Sequence, residues 1–364
     1  MVDRGFVLGQ PGAGLGGVPG RDADRARRGI ERLGSPLYRE LLEHAARDVE
    51  QGGPAWAVLD AAGVPARDPS LMKGEPALQL LGAVHRLVLE GRAPALARHY
   101  PSAGGTPDPA AAAGTLIDTI AEHSEGLPEL MRRPIQTNEV GRSAALLVGF
   151  LTVARDTGMP LRMLEIGASA GLNLRWDRYR YTSAVGAWGD PRSPVEIAEA
   201  FTGRRPPLEV WPEVAERRGC DPHPLDPASE DTRLALLSYT WPDQGRRFTQ
   251  LRAALDFAPS VPVAVERATA VEWLEAALAD AQPGVATVVF HSVVLPYLGE
   301  QGIADLWRTL EAAAGRARAD APLAWLSLEA GQDLADVRLM TWPGGAARLL
   351  AHASFHGPPV SWVD

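Results

Sequence analysis

The residues best placed to do chemistry form one short run. Leu164, Glu165, Ile166, Gly167, Ala168, Ser169, Ala170 and Gly171 read apolar–acid–apolar–Gly-x-x-x-Gly, with Asn173 just beyond. A buried strand that turns tightly at Gly167 and passes at once into a helix aims backbone N–H groups, and the positive end of a helix dipole, at a ligand. Gly171 lets such a helix pack closely on the strand. The plain alternative is a βα turn that is Gly-rich for steric reasons alone.

A dinucleotide fingerprint carries Gly where Ser169 stands. The looser pattern resembles the cofactor loop of class I S-adenosylmethionine (SAM) methyltransferases, whose ligand has no pyrophosphate and needs a less intimate approach. Glu165, Gly167, Ala168, Ser169, Gly171 and Asn173 are then cofactor-binding residues. Ribose hydroxyls call for an acid at the end of the second strand, and Asp243 in SYTWPDQ is read as that acid. A helix N-cap is its plain alternative, and Asp190 lies nearer the usual spacing. After the third strand, where an adenine-binding carboxylate is expected, ERATAV offers only the hydroxyl of Thr269.

The stretch VVFHSVVLPYL puts His291 at the end of the fourth strand, next to Ser292. His291 is either a general base, with a side chain that titrates near neutrality, or a satisfied core histidine. Ser292 is not in a Gly-x-Ser-x-Gly elbow, and neighbours on a strand face opposite ways, so a Ser–His hydrolase is disfavoured. Asn138, Glu139 and Arg142 open the helix that feeds the first strand, with Asn138 as its N-cap. They are read as lining a substrate or cofactor, or as a cap with a solvated ion pair, and Tyr297 is grouped with them as a substrate or lid residue. Cys220 is the only cysteine, so an intrachain disulfide is excluded. No His, Asp or Glu cluster has metal-ligand spacing.

The elements that must hold these residues follow from periodicity. Residues 1–21 are Gly-rich and read as a flexible leader. From 22 to 158 the pattern is helical: SPLYRELLEHAARDVE with Ser35 as cap, PALQLLGAVHRLVLEG stopped by Gly91, AAAAGTLIDTIAEHSE, and NEVGRSAALLVGFLTVARDTG ending near Gly158. From 159 to 364 strands alternate with helices: RMLEIG, VPVAVERA, VATVVFHSVVL and PLAWLSLE are strands, and GLNLRWDRY reads as a helix start. VRLMTWPGGAARLLAHAS reads as a hairpin. The expectation is an α/β chain with an all-helical N-terminal domain, followed by a Rossmann-like doubly wound sheet with a C-terminal β-hairpin.

The chain has 364 residues, enough for two domains, and 46% apolar residues, enough for a substantial core. Its net charge of −9 and the absence of a basic stripe disfavour a nucleic-acid partner. Lys73 is the only lysine, which fits a GC-rich coding bias. No signal peptide or apolar run of ~20 residues is visible, so a cytoplasmic protein with a small-molecule substrate and no membrane partner is expected.

Taken together, SPLYRELLEHAARD, ALQLLGAVHRLVLEG, QTNEVGRSAALL, LEIGASAGLNLRWDRYRY, WPDQ with its LRAAL helix, and VVFHSVVLPYL resemble an uncharacterised bacterial protein family over nearly the whole chain. That family's link to methyltransferases rests on its GASAG-type loop, and ERATAVEWL departs from the Gly-Asp-Ala run expected there. The resemblance implies the two-part layout and adds little about substrate; the expectation drawn from the loop is a SAM-dependent methyltransferase acting on an oxygen or nitrogen nucleophile of a small molecule, with His291 as optional base. The contrasting reading is a SAM-fold binding or regulatory protein without transfer chemistry.

Overall fold

The computed structural model describes residues 34–68, 71 and 74–364. The leader expected over 1–21, residues 22–33 at the start of the helical segment, and Lys73 lie outside them. The chain divides into two compact units. Within the described residues, one unit comprises 34–137 and 229–252, and the other 138–228 and 253–364.

The regular elements described in the first unit are helical. They are α1 (Pro36–Gln51), α2 (Pro54–Ala61), α3 (Glu75–Leu89), α4 (Pro94–Ala97), α5 (Pro109–Glu122) and α6 (Leu127–Met131). Ser35 caps α1 as its sequence suggests, accepting from the Tyr38 N–H at 3.0 Å, and Pro36 fills the first turn. Gly91 follows α3 at φ +73°, a backbone shape that costs glycine little. The next helix, α7 (Arg142–Thr157), belongs to the other unit. The chain later returns to the first unit through α8 (Glu230–Ser238) and the start of α9 (Gly245–Phe257). Trp241 joins this unit's core and meets Tyr38 at 5.3 Å between ring centroids.

The second unit is built on a nine-stranded sheet. Its strands are β1 (Leu161–Ile166), β5 (Phe201–Gly203), β6 (Val214–Asp221), β7 (Ala264–Arg267), β8 (Ala286–Ser292), β9 (Leu323–Ala330), β10 (Ala335–Trp342), β11 (Ala346–Ser354) and β12 (Gly357–Trp362). Their order is β5-β12-β11-β10-β9-β8-β1-β6-β7. The five strands β7-β6-β1-β8-β9 run parallel. β10, β11 and β12 follow as an antiparallel meander, with the Pro343-Gly344-Gly345 turn between β10 and β11.

β1 is buried along its whole length, as a central parallel strand must be. One face of the sheet packs on α7, where Phe150 meets Phe290 edge-on at 5.0 Å. A buried aromatic side chain of this kind stabilises by about 1.5–3 kcal/mol. Gly149 lets α7 sit close: a Cβ there would lie 2.3 Å from the Leu326 side chain. The helix read as the last of an N-terminal domain is therefore a sheet-packing helix, because Ser143–Ala154 are buried without a break. The other face carries α10 (Ala270–Ala277) and α11 (Leu295–Ala314), whose Trp273 and Trp307 join Leu164, Ile166, Val289 and Trp325 in one core.

Two expectations fail between β1 and β6. GLNLRWDRY does not start an α-helix; Asn173–Arg178 form a six-residue 3-10 segment. The chain then builds a second, three-stranded sheet from β2 (Arg180–Ser183), β3 (Gly186–Trp188) and β4 (Glu196–Ala198), in the order β3-β2-β4. Aromatic stacking anchors it, with Trp188 between Trp176 at 5.5 Å and Trp211 at 4.8 Å. These strands are only three or four residues long, too short for alternation to mark them. The second strand of the parallel set is β6, not the SYTW segment, which lies at the end of α8 and in the turn after it.

Candidate functional site

The loop after β1 is tied down by its own neighbours. Gly167, Ser169 and Gly171 all adopt left-handed backbone, at φ +68°, +53° and +67°. For Ser169 that conformation is uncommon and costs free energy. Ala168 N–H bonds to the Cys220 carbonyl at 3.0 Å, Gly171 N–H to Ala168 O at 2.7 Å, and Leu172 N–H to the Asn138 Oδ1 at 3.0 Å. Ser169 N–H donates to Asp221 Oδ2 at 2.9 Å, and His223 N–H to Asp221 Oδ1 at 2.8 Å. Those loop amides are therefore committed within the protein, and the short 3-10 segment supplies no helix terminus that would attract an anion. No α-helix dipole points at a ligand from this loop.

Side chains are what the loop leaves open. Glu165 Oε2, Ser169 Oγ and Asn173 Oδ1 are buried without a hydrogen-bond partner. Leaving such groups unpaired costs about 1–3 kcal/mol each, so their clustering along nine residues, from the end of β1 to the start of the 3-10 segment, marks a place built for polar contact. Burial pushes the Glu165 carboxyl well above the usual carboxylate range. The neighbouring Asp221 charge pushes it further, while Arg175 and Arg142 oppose the shift. Arg175 is itself buried and stitches the loop, donating to Val261 O at 2.9 Å and Gly171 O at 2.8 Å.

Asp243 does not stand at the end of the second parallel strand. It lies in the helical unit, where Ser35 Oγ donates to its carboxylate at 2.7 Å and Leu37 N–H at 3.3 Å, and it completes the cap of α1. The acid that ends β6 is Asp221. Asp190 is an exposed-loop acid held by Arg192. Thr269 gives its hydroxyl to Glu272 at 2.7 Å at the start of α10. Asn138 does not cap α7, which begins four residues later behind Gly141. Its carboxamide reaches the β1 loop instead. Glu139 pairs with His356 at 3.1 Å, and Arg142 donates to Ser292 O at 3.2 Å and Phe355 O at 2.9 Å.

His291 is fully buried and stands on the opposite face of the sheet from Glu165. Phe290 pairs in register with Glu165 and points toward α7, so the next residue points the other way. There the ring lies 4.6 Å from Trp325. Its Nδ1–H donates to Glu329 Oε1 at 2.7 Å, and its Nε2 has no partner. The same Glu329 oxygen takes the Val294 N–H at 2.7 Å and the Leu295 N–H at 3.3 Å. Val294 in turn packs on the loop, since a Cβ on Gly167 would sit 2.5 Å from its Cγ2. The pair His291–Glu329 thus fixes the turn that backs Gly167. Tyr297 sits in the first turn of α11, 85% exposed, two residues before the helix breaks at Gly299.

Three residues that organise the loop escaped the sequence reading: Asp221, Arg175 and Glu329. Asp221 carried a signal, an acid after the VAERRGC run; Arg175 stands four residues beyond Gly171 in the same run, and Glu329 is joined to the loop only by the fold. Cys220, beside Asp221, has its thiol pushed up to about 12, chiefly by burial, and is no nucleophile at neutral pH. Among the described residues no group of three His, Cys, Asp or Glu side chains is arranged to hold a metal, and no helix is long and apolar enough to cross a membrane. Residues 23–362 match the model of the family described as "Uncharacterized protein conserved in bacteria (DUF2332)". No curated protein and no solved structure matches the chain.

Proposed function

The chain belongs to that family of uncharacterised bacterial proteins, and we propose that it is a SAM-dependent methyltransferase acting on an oxygen or nitrogen nucleophile of a small molecule. The observation that carries this reading is the set of buried, unpartnered side-chain atoms on the β1 loop: Glu165 Oε2, Ser169 Oγ and Asn173 Oδ1. Strand order supports it. The chain runs outward from β1 through β6 to β7, then resumes on the other side with β8 and β9, so the order reverses beside β1. In Rossmann-like doubly wound sheets ligands bind at the carboxyl ends of the strands at that reversal.

When bound, SAM supplies an electrophilic methyl group. The residues fit its polar parts. Glu165 and Asn173 present acceptors suited to an ammonium group, and Asp221 at the end of β6 takes the place expected of the ribose acid. Each Asp221 oxygen already accepts one backbone N–H and retains acceptor capacity. A bound cation beside Glu165 would favour its ionised form and offset the effect of burial. Asn138 and Arg175 hold the loop in shape, so catalysis would rest on orientation of the two reactants.

Titration calorimetry of the whole chain with SAM and with its demethylated product tests the reading. Saturable binding of both, weakened at least tenfold in Asp221→Ala, is the expected result. Absence of saturable heat with either ligand overturns it. A second reading, a SAM-binding regulatory protein without transfer, is favoured by the sealed position of His291, which leaves the proposed site without that base. Transfer of label from methyl-labelled SAM to any acceptor in a cell extract decides against the second reading.

A further inference from the structure

The helical unit carries a cavity of about 580 Å³ that the β1 loop has no part in. Val88, Leu89, Pro94 and Ala97 give it an apolar side, and Arg98, Ser102 and Arg252 give it a polar one. Its position follows from the sequence. The stop at Gly91 and the short helix α4 turn the chain back, and a 3-10 turn at Pro101–Ala103 brings Ser102 under α3.

Two features of this cavity are unusual. The first is its charge. Arg98 and Arg252 are exposed, and neither has a carboxylate partner among the described residues, unlike Arg86, Arg162 and Arg217, which are each ion-paired. Arg252 is held over the ring of Phe248, with its guanidinium carbon 4.9 Å from the centroid, which directs the group without neutralising it. Two uncompensated guanidinium groups on one cavity make a site for an anion, and the planar donor fork suits carboxylate or phosphate oxygens.

The second feature is Ser102. His85 lies in the unit's core with Nδ1 3.0 Å from the Ser238 carbonyl and Nε2 2.7 Å from Ser102 Oγ. A carbonyl only accepts, so Nδ1 carries the proton and Nε2 is the acceptor. The Ser102 hydroxyl must therefore spend its hydrogen on His85. Burial holds the imidazole neutral, with its titration pushed down to about 4, so this polarity persists at neutral pH. Ser102 then shows the cavity only lone pairs. It repels the oxygens of an anion and welcomes an O–H or N–H donor.

We propose that this cavity binds a small organic anion that also carries a hydroxyl or amine: Arg98 and Arg252 take the carboxylate or phosphate, and Ser102 accepts a hydrogen bond from the donor. The site is separate from the β1 loop, and its test does not depend on SAM.

The test is titration calorimetry of the whole chain at neutral pH with three probes: glycerol 3-phosphate, inorganic phosphate and glycerol. The expected order is glycerol 3-phosphate tightest, inorganic phosphate at least threefold weaker, and no saturable heat with glycerol. The double variant Arg98→Ala/Arg252→Ala should lose at least tenfold in affinity for both phosphates. Ser102→Ala should bring glycerol 3-phosphate down to the affinity of inorganic phosphate. Should Ser102→Ala disturb the fold through its lost bond to His85, the arginine variant at two exposed positions decides alone. Saturable binding by neither phosphate overturns the proposal, and so does binding that the arginine variant leaves unchanged.

Discussion

Asp221 and Ser169 join the ends of neighbouring strands: the carboxylate that closes β6 receives the backbone N–H of the strained residue in the loop after β1, at 2.9 Å. A charged acceptor is what keeps Ser169 in left-handed backbone. The relationship explains how the loop holds its shape with no α-helix behind it.

Removing that acceptor should loosen the loop. Asp221→Ala strips hydrogen-bond partners from the Ser169 and His223 amides, and a lost bond to a charged group costs about 1.5–3 kcal/mol. Urea unfolding is expected to show that loss, with Asp221→Asn in between. Asp243→Ala should lower stability through the α1 cap and leave SAM affinity within twofold of the parent. Calorimetry with SAM on the two alanine variants side by side reads which acid serves the proposed cofactor.

Asn138 offers a cleaner test of loop support. Its Oδ1 accepts the buried Leu172 N–H at 3.0 Å. Asn138→Ala is expected to destabilise the fold by about 1–3 kcal/mol, and Asn138→Asp, which keeps the acceptor, by less. Equal losses in chemical denaturation would show that packing, not the hydrogen bond, matters there.

Gly167 cannot be replaced quietly. Alanine at φ +68° costs about 1–2 kcal/mol, and its Cβ would meet Val294 Cγ2 at 2.5 Å. Gly167→Ala should therefore destabilise, and Val294→Ala should recover the steric part. A double-mutant cycle on unfolding free energy measures it. Strict additivity would mean that the two residues do not touch in solution.

Glu165 makes the fold sensitive to pH. Its folded-state carboxyl titrates above its unfolded value, mainly through burial, so the folded chain binds the proton more tightly. Its contribution is fully present below the unfolded value and is lost as pH rises toward the raised folded value. In that window stability should fall with pH by up to about 1.4 kcal/mol per unit. Glu165→Gln should flatten this slope and overtake the parent as pH rises. Denaturation midpoints from pH 5 to 8 check it; parallel curves for the two proteins would contradict the shift.

Much of the sheet was legible in the sequence, because long apolar strands such as RMLEIG and VATVVFHSVVL stand between clear helices. The PGG hairpin was legible for the same reason. The β1 loop could be found, but its wiring could not. Asp221 and Glu329 lie 52 and 38 residues from the groups they bind, Ser169 and His291, and periodicity is silent at that range. Asp243 misled because an acid after an aromatic run and before a helix reads alike as a strand end and as a cap. The 3-10 segment was missed because the Leu172, Leu174 and Arg175 helix formers after the Gly171 turn read as a helix start; Trp176, Tyr179 and Tyr181 pack into the core instead.

The helical unit takes its last pieces from residues 229–252, after the intervening stretch 138–228 that belongs to the other unit. Those pieces include Asp231 on Arg86, the Ser238 carbonyl on His85, Trp241 on Tyr38, and Asp243 on Ser35. During synthesis the helices described before residue 137 therefore leave the ribosome with an open flank, and they must wait for β1 through β6 to be made before the closing segment arrives. A gene truncated after residue 158 would encode helices with an unfinished core and an α1 cap lacking its acid. Such a fragment should behave as a chaperone client rather than a domain, and pairing it in trans with a peptide spanning 229–252 is the natural way to make it whole.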